Sequence, residues 1–450
     1  MTHVVIIGAR AAGVATLVQL VSSLADGARI TVVDPDDPSY PAVFGDTSAD
    51  VIANTSAQIG SLVATDGSDF VDFIGPGADP HAVPRRVVGG YIRFSRERAR
   101  AAAVARSFTV RQVSATATRI TRSSAGYGVH LSTGERIDAD DVVLAMGSGP
   151  AKRLPGVPAA APFPTDALVD RAAARALVIG TGPSAIDAAL TLADHGTHVH
   201  MASRHGLFPA VRTRTIRTRP VRLDPSCESI DIRRTLIEHT EARGRSVGHL
   251  LHSATAPAFA GLQRDIENAS PDRSPWQDGL ADIVDLLGSR RLTIRDEPAF
   301  VWRHLTSIMR ATAIRLERAM LRGDITVGRI GAVDTGTFPL IVAAIGYEPY
   351  PLFATPSTLY LGPHPAEARP VATLDDDLRL VLPGGAGSER IWAVGPTAGI
   401  ARTLSTSLSV TVAHSASVAR SIAALSTFET SSSVADEVGA HGPGRMQTHP

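Results

Sequence analysis

The chain has 450 residues, 44 basic and 44 acidic, so its formal charge is zero and it lacks the electrostatic footprint of a nucleic-acid or anionic-membrane binder. Its length predicts two or three domains with ample apolar content for a core, and with no charged leader and no run of about 18 apolar residues the expectation is a soluble cytoplasmic protein. One cysteine, Cys227 in the polar loop DPSCES, can make neither an internal disulfide nor a two-thiol redox centre; with no histidine nearby it reads as a structural thiol rather than a nucleophile.

The elements begin with an apolar strand, residues 3–7, inside the stretch VVIIGARAAG (4–13). In a dinucleotide turn the first glycine makes the bend, the second lets backbone approach the pyrophosphate, and the third lets helix pack on strand. Gly8 and Gly13 fill the outer places, while Arg10 stands where the middle glycine belongs. Residues 11–22 read as a small-residue helix, with Ala11 at the end that would face the phosphates. A second apolar run, 30–33, ends in Asp34, 21 positions after Gly13 (34 − 13), close to the spacing of a carboxylate that holds a ribose hydroxyl. Taken alone, this is also the pattern of an ordinary strand, turn and helix. Residues 118–138 then read as a small hairpin, and ADDVVLAMGSGP (139–150) as a strand ending in a turn that contains Gly147.

A second copy follows in residues 176–204, ALVIGTGPSAIDAALTLADHGTHVHMASR. Gly180, Gly182 and Ala185, with Pro183 and Ser184 between them, satisfy all three places of the pattern. The next strand, 198–202, leads into Ser203, Arg204 and His205, with no carboxylate. An acid there would repel a 2′-phosphate, whereas a hydroxyl and a guanidinium can bind it, so NADPH is favoured over NADH. The bland alternative is a solvated loop arginine. Two units, the first with an acid and the second with an arginine, are what an FAD enzyme reduced by NADPH needs. Arg10 is tolerable there if its side chain swings away or meets the pyrophosphate charge.

Residues 213–322 show apolar residues three or four apart over a length too great for a plain loop, and predict a helical insert that covers the active site. LIVAAIGYEPYP (340–351) repeats the strand and turn of 139–150. RIWAVGPTAG (390–399) predicts a strand, a turn at Gly395, and then a helix over 405–425. From about 426 the composition lacks periodicity and predicts a disordered tail. The fold class expected is α/β with two Rossmann-like dinucleotide-binding domains. The first part of the FAD domain is 1–150, the NADPH domain 170–345 is inserted in it and carries the insert, and 346–425 completes the FAD domain.

On NTSAQIGSLV (54–63), VPRRVVGGYIRF (83–94), SRHGLFP (203–209) and FVWRHLTSIMRATAIRLERAMLRGDITV (300–327), the chain resembles the two-domain FAD/NAD(P)-binding flavoproteins. These include class B-type flavin monooxygenases and N-hydroxylases, and the likeness is closer to a bacterial subgroup of FAD-NAD(P)-binding proteins. The resemblance runs from residue 3 to about 425. It implies FAD contacts near Gly8, Gly13, Asp34, Asn54, Val113 and Gly395, with Val113 holding adenine by its backbone, and oxygen transfer through a peroxyflavin to an amine or amino-acid nitrogen. The chain departs from the pattern at Arg10 and in the Asp- and Pro-rich turn after Asp34.

Polar residues around the turns expected to face the flavin are Asn54, Gln58, Arg85, Tyr91, His304 and Arg402. Asn54, Gln58 and His304 are the catalytic candidates, whereas Arg85 and Arg402 are candidates for the cofactor. The bland alternatives are helix caps for Asn54 and Gln58, a solvent-facing or phosphate-binding role for Arg85 and Arg86, and a structural histidine at 304. No metal-ligand spacing occurs among the scattered histidines; His195, His198 and His200 read as a solvent-facing turn and strand. Ser184 lies in a dinucleotide turn, not a nucleophile elbow. The competing readings are a flavin reductase or dehydrogenase without oxygen transfer, and a non-catalytic nucleotide-binding redox sensor. The lack of a cysteine pair argues against a disulfide relay. The expected partners are a small-molecule substrate and oxygen, without nucleic acid or membrane, with a homodimer as the base-rate expectation.

Overall fold

The computed structural model describes residues 1–36, 43–45, 50–124, 126–217, 223–224, 226–242, 244–245, 247, 257–348, 350–384 and 387–439, with only the helical backbone described from 428 onward. The Asp- and Pro-rich turn after Asp34 and the last tail residues, 440–450, fall largely outside these.

The first unit is built on the strand His3–Ile7, whose β-branched residues are buried from Val4 onward. It pairs in parallel with Arg29–Asp34 on one side and Asp141–Leu144 on the other, because runs of this kind are buried on both faces of a parallel sheet. Thr109–Ser114 extends the sheet beyond Arg29–Asp34, and Ser388–Ala393 with Arg379–Val381 extends it beyond Asp141–Leu144. The return of the chain near residue 390 therefore completes the sheet that the N terminus began. Two helices cover it, Ala11–Ser23 and Leu408–Gly439, which are joined across their faces by Thr16 Oγ1 and Ser415 Oγ at 3.1 Å.

The second unit repeats this plan with Arg175–Ile179, the helix Pro183–Asp194, and His198–Ser203, flanked by Ile325–Arg329 and Leu340–Ala343. Equivalent backbone bonds recur in both units. Gly8 N donates to Val33 O at 2.8 Å and Gly180 N to Ala202 O at 2.7 Å; Ala145 N donates to Ile7 O and Ala344 N to Ile179 O, both at 2.8 Å.

The hairpin expected at 118–138 forms one half of a larger, six-stranded antiparallel sheet, reaching one edge, and Phe353–Thr355, Thr358–Tyr360 and Arg369–Pro370 from the C-terminal return form the other half. The insert is mixed rather than purely helical. Its helices Ile232–Glu241, Ala258–Asn268, Leu280–Ser289 and Pro298–Leu305 are tied by two short parallel ladders, Val211–Arg212 with Ile308–Met309 and Ser229–Ile230 with Thr293–Ile294. Arg310–Leu321, read from sequence as part of the insert, instead buries Ala313, Leu316 and Ala319 in the core of the second unit.

The C-terminal end differs from expectation as well. Gly395–Ile400 is a 3-10 turn, the last helix starts at Leu408, and it runs through 426–439, where a disordered tail was predicted. Residues 408–427 are long and apolar enough to cross a membrane, but most of this stretch is buried within the fold, against Ala11–Ser23.

Candidate functional site

Each unit holds its glycine turn by steric necessity. Gly8 has φ +108°, and a β-carbon there would stand 2.2 Å from Ala145 O; Gly180 has φ +124°, and its β-carbon would stand 2.4 Å from Ala344 O. A side chain at either place collides with the neighbouring crossover strand, and the left-handed backbone is itself unfavourable for any other residue. The third position packs helix on turn: a β-carbon on Gly13 would lie 1.9 Å from Gly8 O. In the second unit Ala185 tolerates its methyl, which sits at ordinary contact distance from the Gly180 position.

Both helices then begin without a side-chain cap, at Arg10 and at Gly182, with Ala11 and Pro183 as their first residues. Their first-turn N–H groups and positive dipole ends, next to turns kept free of side chains, fit the pyrophosphates of two dinucleotides. Ser184 belongs to that first turn.

The middle position of the first turn shows how Arg10 is accommodated. Its backbone is extended, φ −82° and ψ −162°, so glycine is not required for conformation. Its guanidinium turns aside to Asp36, Nη2 to Oδ2 at 2.6 Å. Asp34 ends its strand buried, where its Oδ2 accepts from Ala9 N at 2.7 Å and its Oδ1 from Asp36 N at 3.0 Å. The carboxylate thus clamps the turn that precedes the helix. Val113 lies beside Val33 in the sheet, and its carbonyl accepts from Ala115 N. Gly147, φ +81°, has open space where a side chain would go.

The equivalent of Asp34 is Ser203, whose hydroxyl accepts from Gly206 N at 3.0 Å and meets Thr181 Oγ1 at 3.1 Å. Ser203 therefore holds the turn together, and Arg204 stands exposed with no partner among the described residues.

Several polar candidates serve the junction between the two units rather than an open cleft. Arg85, at the start of the helix Arg85–Ala105, is 7% exposed and directs Nε and Nη2 at Asp187 Oδ2, 3.2 and 2.8 Å away on the second unit's helix, with Phe163 beneath its guanidinium. That engagement corrects the expectation of a phosphate or solvent contact, while Arg86 is exposed. Asn54 is gripped by Arg212: Nη1 and Nη2 reach Asn54 Oδ1 at 3.2 and 3.1 Å, and Nη2 reaches Asn54 O at 2.8 Å. Arg212 also donates to Ser307 O and Thr215 Oγ1, so neutral acceptors take up its donors. Complete burial pushes its pKa down to about 10. Thr55 Oγ1 and Ser307 Oγ, on the residues next to and within this contact, are buried without a hydrogen-bond partner among the described residues.

Neither capping alternative holds, because residues 54–59 form turns, and Gln58 is exposed with only its backbone N–H bonded, to Ser56 Oγ. Tyr91 is fully buried; its hydroxyl donates to Asp69 Oδ2 at 2.5 Å and accepts from Leu62 N, and burial raises its pKa to about 12. His304, a catalytic candidate from sequence, lies in the core of the insert, 2% exposed, with Nδ1 at 2.8 Å from Phe300 O and Trp276 edge-on at 5.0 Å. A side chain so enclosed cannot exchange protons with a substrate.

Arg402 donates to Asp375 O at 2.8 Å, and burial lowers its pKa. It follows the Gly395 turn, where φ is +56° and a β-carbon would crowd Thr411 Oγ1 at 3.0 Å and Ala12 at 3.3 Å. Gly395 is thereby brought against the N-terminal end of the first unit's helix. The insert covers this region. Leu404 N donates to Leu287 O, Leu292 N donates to Thr403 Oγ1, and a β-carbon on Gly288 would meet Val410 at 2.5 Å. His195 and His200 bond to Thr191 O and Thr326 Oγ1, and among the described residues no group of three His, Cys, Asp or Glu side chains could hold a metal ion. The sequence reading missed Asp187 and Arg212; the signal for Arg212 was an arginine directly after the apolar run LFPAV.

Residues 5–149 match the FAD-NAD(P)-binding family model, and 97–226 match that of the pyridine nucleotide-disulphide oxidoreductases. The chain is an FAD/NAD(P)-dependent flavoprotein oxidoreductase. The matched segments contain both glycine turns, and the first model's description names FAD and NAD(P) as the dinucleotides bound. No curated protein matches the flavoprotein in sequence. Among solved structures it is similar to the bacillithiol disulfide reductase of Staphylococcus aureus, at 13% identity over 94% of this chain and 99% of that one, with a TM-score of 0.47. It is also similar to a flavin-containing monooxygenase of Stenotrophomonas maltophilia, at 12% identity, 94% and 99% coverage and a TM-score of 0.45. A steroid monooxygenase bound to NADP gives 14% identity, 95% and 86% coverage and a TM-score of 0.49. At these values the likenesses assign no substrate.

Proposed function

We propose that the protein is an NADPH-dependent flavin monooxygenase of the cytoplasm, acting on an amine or amino-acid nitrogen of a small molecule. The observation that carries the NADPH part is the pair of strand ends: a buried carboxylate, Asp34, closes the strand in the first unit, whereas in the second its counterpart Ser203 is followed at once by an exposed cation, Arg204. The first suits a ribose diol and the second a 2′-phosphate.

When bound, the two cofactors supply hydride transfer and oxygen activation. The chain's own residues bind and enclose. The uncapped helix ends receive the pyrophosphates, Asp34 fixes the turn beneath the first, and the insert, stapled at Leu287 and Leu292 to residues 403–404, shields the Gly395 turn from water.

The preference for nitrogen rests only on the resemblance to the wider flavoprotein family that includes the N-hydroxylases. The balance for a primary amine is one amine, one O2, one NADPH and one proton giving one hydroxylamine, one water and one NADP+. A disulfide relay needs two thiols, and the chain has one cysteine.

The test is anaerobic addition of NADPH, and separately NADH, to the FAD-loaded protein, followed by oxygen in the presence of a panel of amines and amino acids. The expected result is faster bleaching by NADPH and a product that has gained one oxygen atom. Reoxidation that yields only hydrogen peroxide across the panel, with rapid turnover of an artificial electron acceptor, would establish a reductase instead.

A further inference from the structure

The insert sends one side chain to the second glycine turn. A β-carbon placed on Gly182 would meet Trp302 Cζ2 at 3.5 Å, whereas at Gly180 it would meet strand backbone. The open side of Gly182 therefore faces an indole and not the interior of its own unit. In a turn of this type the second glycine is left bare so that a pyrophosphate can come up against the backbone. The half-buried indole of Trp302 stands on that approach.

The helix that carries Trp302 cannot simply withdraw. On Pro298–Leu305, Phe300, Arg303 and His304 are all buried. Arg303 Nη2 pairs with Asp265 Oδ2 at 2.5 Å, and its carbonyl accepts from Ala210 N at 2.9 Å. These anchors lie on the face turned into the insert and its neighbouring strand. What is free to move is the indole itself, by rotation about its side-chain torsions.

We propose that Trp302 is a gate on the NADPH site, with an indole that rests over Gly182 and turns aside when the pyrophosphate seats. The proposal rests on the reading of the second turn as the NADPH site. A site that is competent in only a fraction of molecules shows an affinity reduced by that fraction, so removing the gate tightens binding.

The test uses the full-length, FAD-loaded protein and NADP+, which binds without reducing flavin. Dissociation constants are measured by calorimetry for the wild type, Trp302→Ala and Trp302→Phe, and tryptophan emission is followed during the same titrations. The other two tryptophans, Trp276 and Trp392, are 3% and 0% exposed, so a binding-linked emission change reports Trp302. The expected result is severalfold tighter binding by Trp302→Ala, and an emission change in the wild type that is lost in Trp302→Phe. Equal or weaker binding by Trp302→Ala overturns the gate while leaving the NADPH site in place. Absence of NADP+ binding in all three proteins overturns the nucleotide reading of the turn, and the gate with it.

Discussion

Arg85 of the first unit and Asp187 of the second form an ion pair across the junction, Nη2 to Oδ2 at 2.8 Å, with side chains 8% and 5% exposed. Two charges taken out of water together are held by each other, and removing one strands the other in the interior. Loss of one partner of such a pair costs about 3–5 kcal/mol, whereas replacing both with apolar groups of similar volume is often neutral. Arg85→Met should accordingly lower the thermal midpoint strongly, and Arg85→Met combined with Asp187→Leu should recover most of the loss. Thermal unfolding followed by circular dichroism decides it. A double variant as unstable as the single one would mean that the pair's geometry, and not its charge balance, holds the units together.

Asn54 makes a second prediction because its carbonyl oxygens are acceptors for a guanidinium that has no carboxylate among its hydrogen-bond partners. Asn54→Ala removes the side-chain acceptor of both Arg212 Nη atoms from a partly buried contact with a buried guanidinium. Leaving a buried charged donor unsatisfied costs on the order of 1–3 kcal/mol or more. The flavin-free protein should be destabilised by that amount in urea unfolding. A variant with unchanged stability and lost turnover would instead place Asn54 in direct contact with the reacting groups.

Legibility from sequence followed the range of the forces involved. The two glycine turns, their strands and helices and the acid at Asp34 could be read, because each rests on contacts within about thirty residues and on a repeated pattern. The fate of Arg85, Asn54 and His304 could not. Arg85 meets a residue 102 positions away and Asn54 one 158 positions away, and nothing local in the sequence marks either pairing. His304 is a catalytic candidate as one of the polar residues expected around the flavin, and the structure instead matches the structural-histidine alternative, with its ring against Phe300 and Trp276. The sequence predicts the last helix to end near 425 because the segment after it is rich in Ser, Gly, His and Pro and lacks periodicity, and the structure carries the helix on to Gly439.

Arg204 has no partner among the described residues, and it directly follows Ser203, the counterpart of Asp34 at the end of its strand. Arg204→Ala should weaken NADP+ roughly tenfold, the value of one charge-assisted contact to a phosphate at a solvent-accessible site, and leave NAD+ unchanged. Paired calorimetric titrations measure both. Equal losses for the two nucleotides would move the 2′-phosphate site elsewhere.

A pH dependence follows from His414 on the last helix. Burial, with a smaller contribution from Arg402, lowers its pKa below the ordinary 6.5, while the Gly288 carbonyl, 2.9 Å from Nε2, opposes that shift. The folded protein therefore binds this proton less readily than the unfolded chain. The associated stability is complete above pH 6.5 and is lost as the pH falls from there through the lowered folded value. His414→Gln should flatten the fall in urea midpoint between about pH 7 and pH 5. An identical acid limb in the variant would assign the loss to other groups, such as His81, which burial also depresses.

Arg10 bears on whether the first turn is a phosphate site at all. Its guanidinium is held by Asp36, and both side chains are about half-exposed, 48% and 60%. An exposed pair of this kind contributes less than about 1 kcal/mol, so Arg10→Gly should leave the unfolding transition nearly where it was. The extended backbone at residue 10 needs no glycine, and the substitution restores the bare approach that the second turn has at Gly182. FAD content after purification should therefore be retained or increased, measured as the ratio of flavin to protein absorbance. Asp36→Ala removes the partner that draws the guanidinium aside, and is expected to change flavin content little where Arg10 can pair with the pyrophosphate. Loss of flavin in Arg10→Gly at unchanged stability would show that the arginine itself binds the pyrophosphate, with its pairing to Asp36 confined to the flavin-free state.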